Sequence, residues 1–266
     1  AWRWGLLCDD PRVTYPRALT VTLAALLSNL LLITSVSGVL VRIALSVQHG
    51  MAWVKATCAA TIDRLMTLAA LILLAALLMP ALGGMVEPRL FRAAALSLAV
   101  FIGIGATGGV LFFGRRLREF LSRNAHMREI IDYVRGLFAN PARTAVIIIS
   151  SLAAQIAYFL AVFVIARATG AEIGFMQLMT VLPVIALVAS LPLSFGGWGI
   201  REGAFVYGLG LLGVPMETAF LISVQIGLLS MLSVAVTALP VLALSGDGRG
   251  FIFNPHRALQ ETGRGQ

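Results

Sequence analysis

Six long apolar runs divide the chain: Ala18 to Val41, Leu65 to Leu82, Ala93 to Phe113, Thr144 to Ala166, Ile173 to Leu193 and Met216 to Ser245. Each approaches the ~20 apolar residues that a helix needs to cross hydrocarbon, so six full crossings are predicted. A seventh stretch, Gly203 to Gly213, is apolar but too short to cross alone and reads as a half-helix or re-entrant piece. The predicted fold is all-α: a polytopic transmembrane helical bundle with about six full spans plus broken or re-entrant half-helices. It forms one integral membrane domain over residues 1–266, with a polar tail at 246–266.

Composition agrees with the pattern. Hydrophobic residues make up 59% of the 266, charged residues 12%, and the mean hydropathy is +0.93. Soluble domains carry about 25% charged residues, so lipid is the main solvent expected here. The first 18 residues hold Arg3, Arg12, Arg17, Asp9, Asp10, Pro11 and Pro16 and no apolar core, so no signal peptide is expected in them. Cys8 and Cys58 are 50 residues apart, and His49, His126 and His256 are scattered. Neither set has metal-ligand or redox spacing, so no metal and no cofactor are expected. No nucleic-acid partner is expected either.

Charge gives an orientation. Of the 20 basic residues, seven (Arg115, Arg116, Arg118, Arg123, Arg128, Arg135 and Arg143) lie between Gly114 and Arg143, which predicts a cytoplasmic segment. Leu117, Phe120, Leu121, Ile130, Ile131, Val134 and Leu137 recur there at helical spacing, the pattern of a basic amphipathic helix lying on the inner leaflet. Counting spans from this segment places Arg42 to Arg64, the loop at 192–202 and the tail inside, if Gly203 to Gly213 completes a crossing. Arg3, Arg12, Arg17, Arg89, Arg92 and Arg167 then fall outside. A re-entrant Gly203 to Gly213 would put the tail outside instead.

The candidate chemistry is concentrated in "LPLSFGGWGIREGAF", Leu191 to Phe205, where a proline and four glycines accompany Arg201 and Glu202 in an apolar setting. A charge at the bilayer centre costs roughly 2.5–3.5 kcal/mol on insertion scales, and irregular backbone survives there only inside protein or beside a wet cavity. The alternative is a solvated loop between helices. A weak repeat links the two halves: Ser35, Gly38 and Arg42 are spaced as Ser194, Gly197 and Arg201, giving S-x-x-G-x-x-x-R twice. Paired glycine-interrupted segments point to a transporter site. The span count makes the copies parallel, whereas a re-entrant turn would invert one. Asp63 and Arg64 are the other concentrated charge, at the start of "RLMTLAALILLAALL"; they point about 100° apart on a helix, so Asp63 is free to meet a more distant base such as Lys55.

Three blocks in order, "SGVLVRIALSVQHGMAWVKATCAATIDRL", "LPLSFGGWGIREGAF" and "LLGVPMETAFLISV", resemble the lysylphosphatidylglycerol synthase transmembrane region, a flippase-like family of bacterial inner-membrane proteins. The resemblance covers nearly the whole chain, apparently without the family's first span. It implies a multi-pass protein of the bacterial plasma membrane that moves a lipid between leaflets; no spaced carboxylate or Cys/His set appears in the sequence, so an enzyme is not expected. The family motif falls on Pro192, Ser194, Gly196, Gly197, Gly199, Arg201 and Glu202, and its Asp-Arg pair on Asp63 and Arg64. The first motif keeps only Gly38 and Arg42; Ile33, Thr34, Ser35 and Val39 stand where relatives tend to show a Pro-Gly-Gly run and an acid.

The expected substrate path is therefore Arg42, Asp63, Arg64, Ser194, Gly196, Gly197, Gly199, Arg201 and Glu202. The expected partners are membrane lipids: an anionic or aminoacylated phospholipid, or a polyprenyl-linked lipid. The competing expectation is a non-catalytic partner of a lipid glycosyltransferase, a hopanoid-pathway enzyme or another lipid-modifying enzyme.

Overall fold

The structure, a computed structural model, describes residues 1–32, 37–84, 88, 91, 92, 95, 96, 98, 99, 102, 103, 107, 125–190 and 199–244. The described residues form nine long or medium helices and no strand. They are α1 (Trp2–Cys8), α2 (Tyr15–Leu32), α3 (Ser37–Gln48), α4 (Trp53–Leu82), α5 (Ala125–Ala139), α6 (Pro141–Ala168), α7 (Phe175–Ala189), α8 (Ile200–Gly210) and α9 (Met216–Leu244). The all-helical membrane fold read from the sequence holds. Among the described residues, three helices are long and apolar enough to cross a membrane: α4, α6 and α9.

The span count changes in three places. Ala18 to Val41 is not one span but parts of two helices, α2 and α3. Asn29 is the physical reason: its Oδ1 accepts hydrogen bonds from the Ser37 hydroxyl at 3.2 Å and the Gly38 N–H at 2.7 Å, so α2 caps the start of α3. A Cβ on Gly38 would fall 2.6 Å from the Ala25 carbonyl oxygen and from the Asn29 amide, so only glycine lets α3 fold back this closely on α2. Second, Arg42 to Arg64 is largely helical, since α3 continues to Gln48 and α4 starts at Trp53, twelve residues before the run at Leu65. Third, Ile173 to Leu193 yields α7, whose 15 residues reach about 22 Å at 1.5 Å per residue, short of a ~30 Å hydrocarbon core. The span at Ala93 to Phe113 falls mostly outside the described residues.

Two compact units divide the chain. One comprises residues 1–64, 132–147 and 228–266. Its core includes Trp4, Leu7, Val21, Leu27, Leu45 and Ala56. There the last turn of α1 is tied down by α5 and α6: Tyr133 donates to the Leu7 carbonyl, and Arg143 donates to the Leu6 carbonyl at 3.1 Å and to Asp9 at 2.6 Å. These bonds satisfy carbonyls that a helix C-terminus otherwise leaves open. Asn140 accepts the Arg143 N–H at 3.2 Å and Pro141 takes the first helical position, the usual chemistry of a helix start.

The other unit comprises residues 65–131 and 148–227. Phe159, Val162, Leu178, Leu182, Phe205, Leu209 and Ile222 form its core. In it α8 runs back along α7, with Gly208 so close to Ile185 that a Cβ would fall 2.5 Å from that side chain. Thr169, just past α6, donates to Gln225 of α9 at 2.8 Å. At 11 residues α8 is about 16 Å long and cannot cross a bilayer alone.

Candidate functional site

In the first unit, Asp63 sits about three turns into α4 and is only 8% exposed. It receives Arg42 of α3 at 2.8 Å on Oδ2 and Arg3 of α1 at 2.8 Å on Oδ1. The Arg42 guanidinium also lies over the Trp4 ring, 4.8 Å from its centroid, a cation–π contact that strengthens as water is removed. Arg42 Nε and Trp4 Nε1 are buried with no hydrogen-bond partner among the described residues. Arg64 is exposed and points away from this cluster, as their adjacency on a helix requires. Arg3 and Asp63, which the span count placed on opposite sides, form an ion pair, and so do Arg143 and Asp9.

In the second unit, α7 ends at Ala189 and α8 starts at Ile200. Gly199 caps α8 at φ 90°, a conformation that only glycine adopts cheaply, so no helix runs unbroken through this position. Glu202 turns back over the cap: one carboxylate oxygen accepts the Gly199 N–H, and the other accepts Arg201 Nη2 at 2.6 Å and Nε at 3.0 Å. Neighbouring residues on a helix do not ordinarily face one another. Here Glu202 serves as both cap and counter-ion, and its charge suits the positive end of the helix dipole. Glu202 is 7% exposed and the Arg201 side chain 19%. Ser194, Gly196 and Gly197 lie outside the described residues.

Beside this pair, a groove of about 400 Å³ opens between α7 and α8, lined by Val181, Ile185, Val188, Ile200, Ala204 and Tyr207 among others. The α8 residues that line it, Ile200, Gly203, Ala204, Tyr207 and Gly208, share one face of the helix, and Arg201 lies about 100° round from Ile200.

The family profile described as the lysylphosphatidylglycerol synthase TM region matches residues 1–238. The chain belongs to this family. Comparison with curated proteins and with solved structures gives no match. As a lysylphosphatidylglycerol synthase TM region, the chain is a multi-pass membrane protein, in agreement with its apolar helices.

The structure thus brings Arg42 together with Asp63, and Gly199 with Arg201 and Glu202. Sequence reasoning missed Arg3, Trp4, Asn29 and Gly227, the last of which lies against Arg201. Asn29 was the readable one, as a lone amide within an apolar run.

Proposed function

We propose that this family member binds a lipid or lipid-linked amphiphile and moves it between the leaflets of a bacterial inner membrane. The observation that carries the reading is the largely buried Arg201–Glu202 pair at the tip of α8, a helix too short to cross, which lines an apolar groove with a different face. An amphiphile has the matching shape: a charged headgroup to exchange hydrogen bonds with the pair, and a chain to occupy the groove. Buried ionisable groups in a membrane protein are costly and serve substrate paths by default. The pair carries both signs of charge, which fits headgroups ranging from anionic to aminoacylated.

In this reading the 114–143 segment faces the cytoplasm. Because the α2–α3 turn returns the chain, Arg3, Arg12 and Arg17 join the basic residues counted with that segment, leaving Arg89, Arg92 and Arg167 opposite. The asymmetry is sharper than a straight Ala18 to Val41 crossing would give.

The test is leaflet-resolved exchange of labelled phosphatidylglycerol and lysyl-phosphatidylglycerol in liposomes holding the purified chain. Exchange faster than in protein-free liposomes is expected. Folded protein that exchanges neither lipid would favour the competing reading, a non-catalytic partner of a lipid-modifying enzyme.

A further inference from the structure

Gly227 is buried near the middle of α9, an apolar helix in which alanine is the better helix former. Its environment gives the reason for glycine. A Cβ built there would fall 2.9 Å from both Cζ and Nη1 of Arg201, and closer still to Nη2. The guanidinium therefore rests in the notch that the missing side chain leaves, with Glu202 holding it by Nη2 at 2.6 Å and Nε at 3.0 Å. The neighbours of this notch are not interchangeable: Ile226 is buried in the core and Leu228 is exposed.

We infer that Gly227 is a positioning residue for the lipid site, seating the Arg201 guanidinium against the backbone of α9 so that its charge meets the headgroup at a fixed place. This rests on the lipid-moving function proposed above. The obstructing atoms belong to the far end of a flexible side chain, so a methyl group at 227 displaces the guanidinium without forcing the helices apart. Glu202 keeps its bond from the Gly199 N–H in either case, which leaves the start of α8 intact.

Two measurements on the full chain test this. The first is a thermal-unfolding cycle of Gly227→Ala, Arg201→Ala and the double variant in detergent. Gly227→Ala should raise the unfolding temperature more in the Arg201→Ala background than in wild type, because only the former lacks the conflict. Equal shifts in both backgrounds overturn the contact. The second is exchange of labelled phosphatidylglycerol in phosphatidylethanolamine/phosphatidylglycerol vesicles. Gly227→Ala should slow exchange at least tenfold while keeping wild-type folded yield. Gly136→Ala on α5, where a Cβ would meet nothing within 4 Å, should leave exchange unchanged. Wild-type exchange by folded Gly227→Ala protein overturns the positioning role even if the cycle shows the contact. If the wild-type chain itself moves no lipid, the proposed function falls while the unfolding cycle still decides whether Gly227 seats Arg201.

Discussion

The α2–α3–α4 and α7–α8–α9 segments have the same order of parts and neutralise their arginines differently. In each, a short helix folds back on its predecessor, ends near a glycine at positive φ (Gly50 or Gly213) and is followed by a long apolar helix. In each, an arginine of the short helix, Arg42 or Arg201, reaches the third or fourth turn of the long one, at Asp63 or Gly227. Arg42 is held across helices, by a carboxylate on α4 that also takes Arg3 from α1. Arg201 pairs with Glu202 of its own helix and lies against Gly227 on α9. The first arrangement ties three helices together through one carboxylate, whereas in the second the ion pair forms between neighbours at one helix tip. Under the function proposed above, the first region mainly holds the fold and the second mainly handles the lipid.

The most severe way to break this comparison is Asp63→Ala. It leaves two partly buried guanidinium groups without their shared carboxylate; removing one partner of a fully buried pair costs roughly 3–5 kcal/mol, which is the upper bound here. Folded yield in detergent should collapse. Arg201→Ala should retain folded protein, since Glu202 still caps Gly199. Equal losses of folded yield in the two variants would erase the distinction.

Next in size is Asn29→Ala, which removes the acceptor of both the Ser37 hydroxyl and the Gly38 N–H. Loss of a helix cap costs about 0.5–2 kcal/mol, so the unfolding temperature should drop by a few degrees with the fold retained. An unchanged unfolding temperature would show that the α2–α3 turn is held by packing alone.

The smallest effect concerns the Asp9–Arg143 pair. The hydrogen bond from Arg143 holds the Asp9 carboxyl below the usual carboxylate range, against the opposing effect of its burial. Its stabilisation is therefore complete above the unfolded carboxylate value of about 3.9 and is lost as pH falls through the lower folded value. Asp9 is half exposed, and such pairs contribute on the order of 0.2–1 kcal/mol. Arg143→Gln should flatten the acid limb of the stability profile slightly, as read by chemical denaturation between pH 6 and 3. An identical limb would remove this pair from the account.

Much of this architecture was legible because membrane helices write their length and apolarity directly into sequence; α6 and α9 follow Thr144 to Ala166 and Met216 to Ser245 within a few residues. The α2–α3 break was not, because an apolar average over Ala18 to Val41 conceals Asn29, Ser37 and Gly38. The start of α3 is held on α2 by two hydrogen bonds, between residues eight and nine apart. Asp63 stood out as an uncomfortable acid, but Arg3 lies 60 positions away and no local spacing connects them. The Gly199-x-x-Glu202 cap is local and could be read; the glycine notch at 227 depends on where α9 packs and could not.

The central claim is that the Arg201–Glu202 tip handles the lipid while the Arg42–Asp63 cluster holds the fold. Lipid exchange and folded yield measured on the same preparations of wild type and Arg201→Ala test it most directly, with Arg118→Ala as a control for one arginine among the seven of the 114–143 segment. The expected result is at least a tenfold loss of exchange in Arg201→Ala at near wild-type folded yield, and little change in Arg118→Ala. Wild-type exchange by well-folded Arg201→Ala protein would contradict the account.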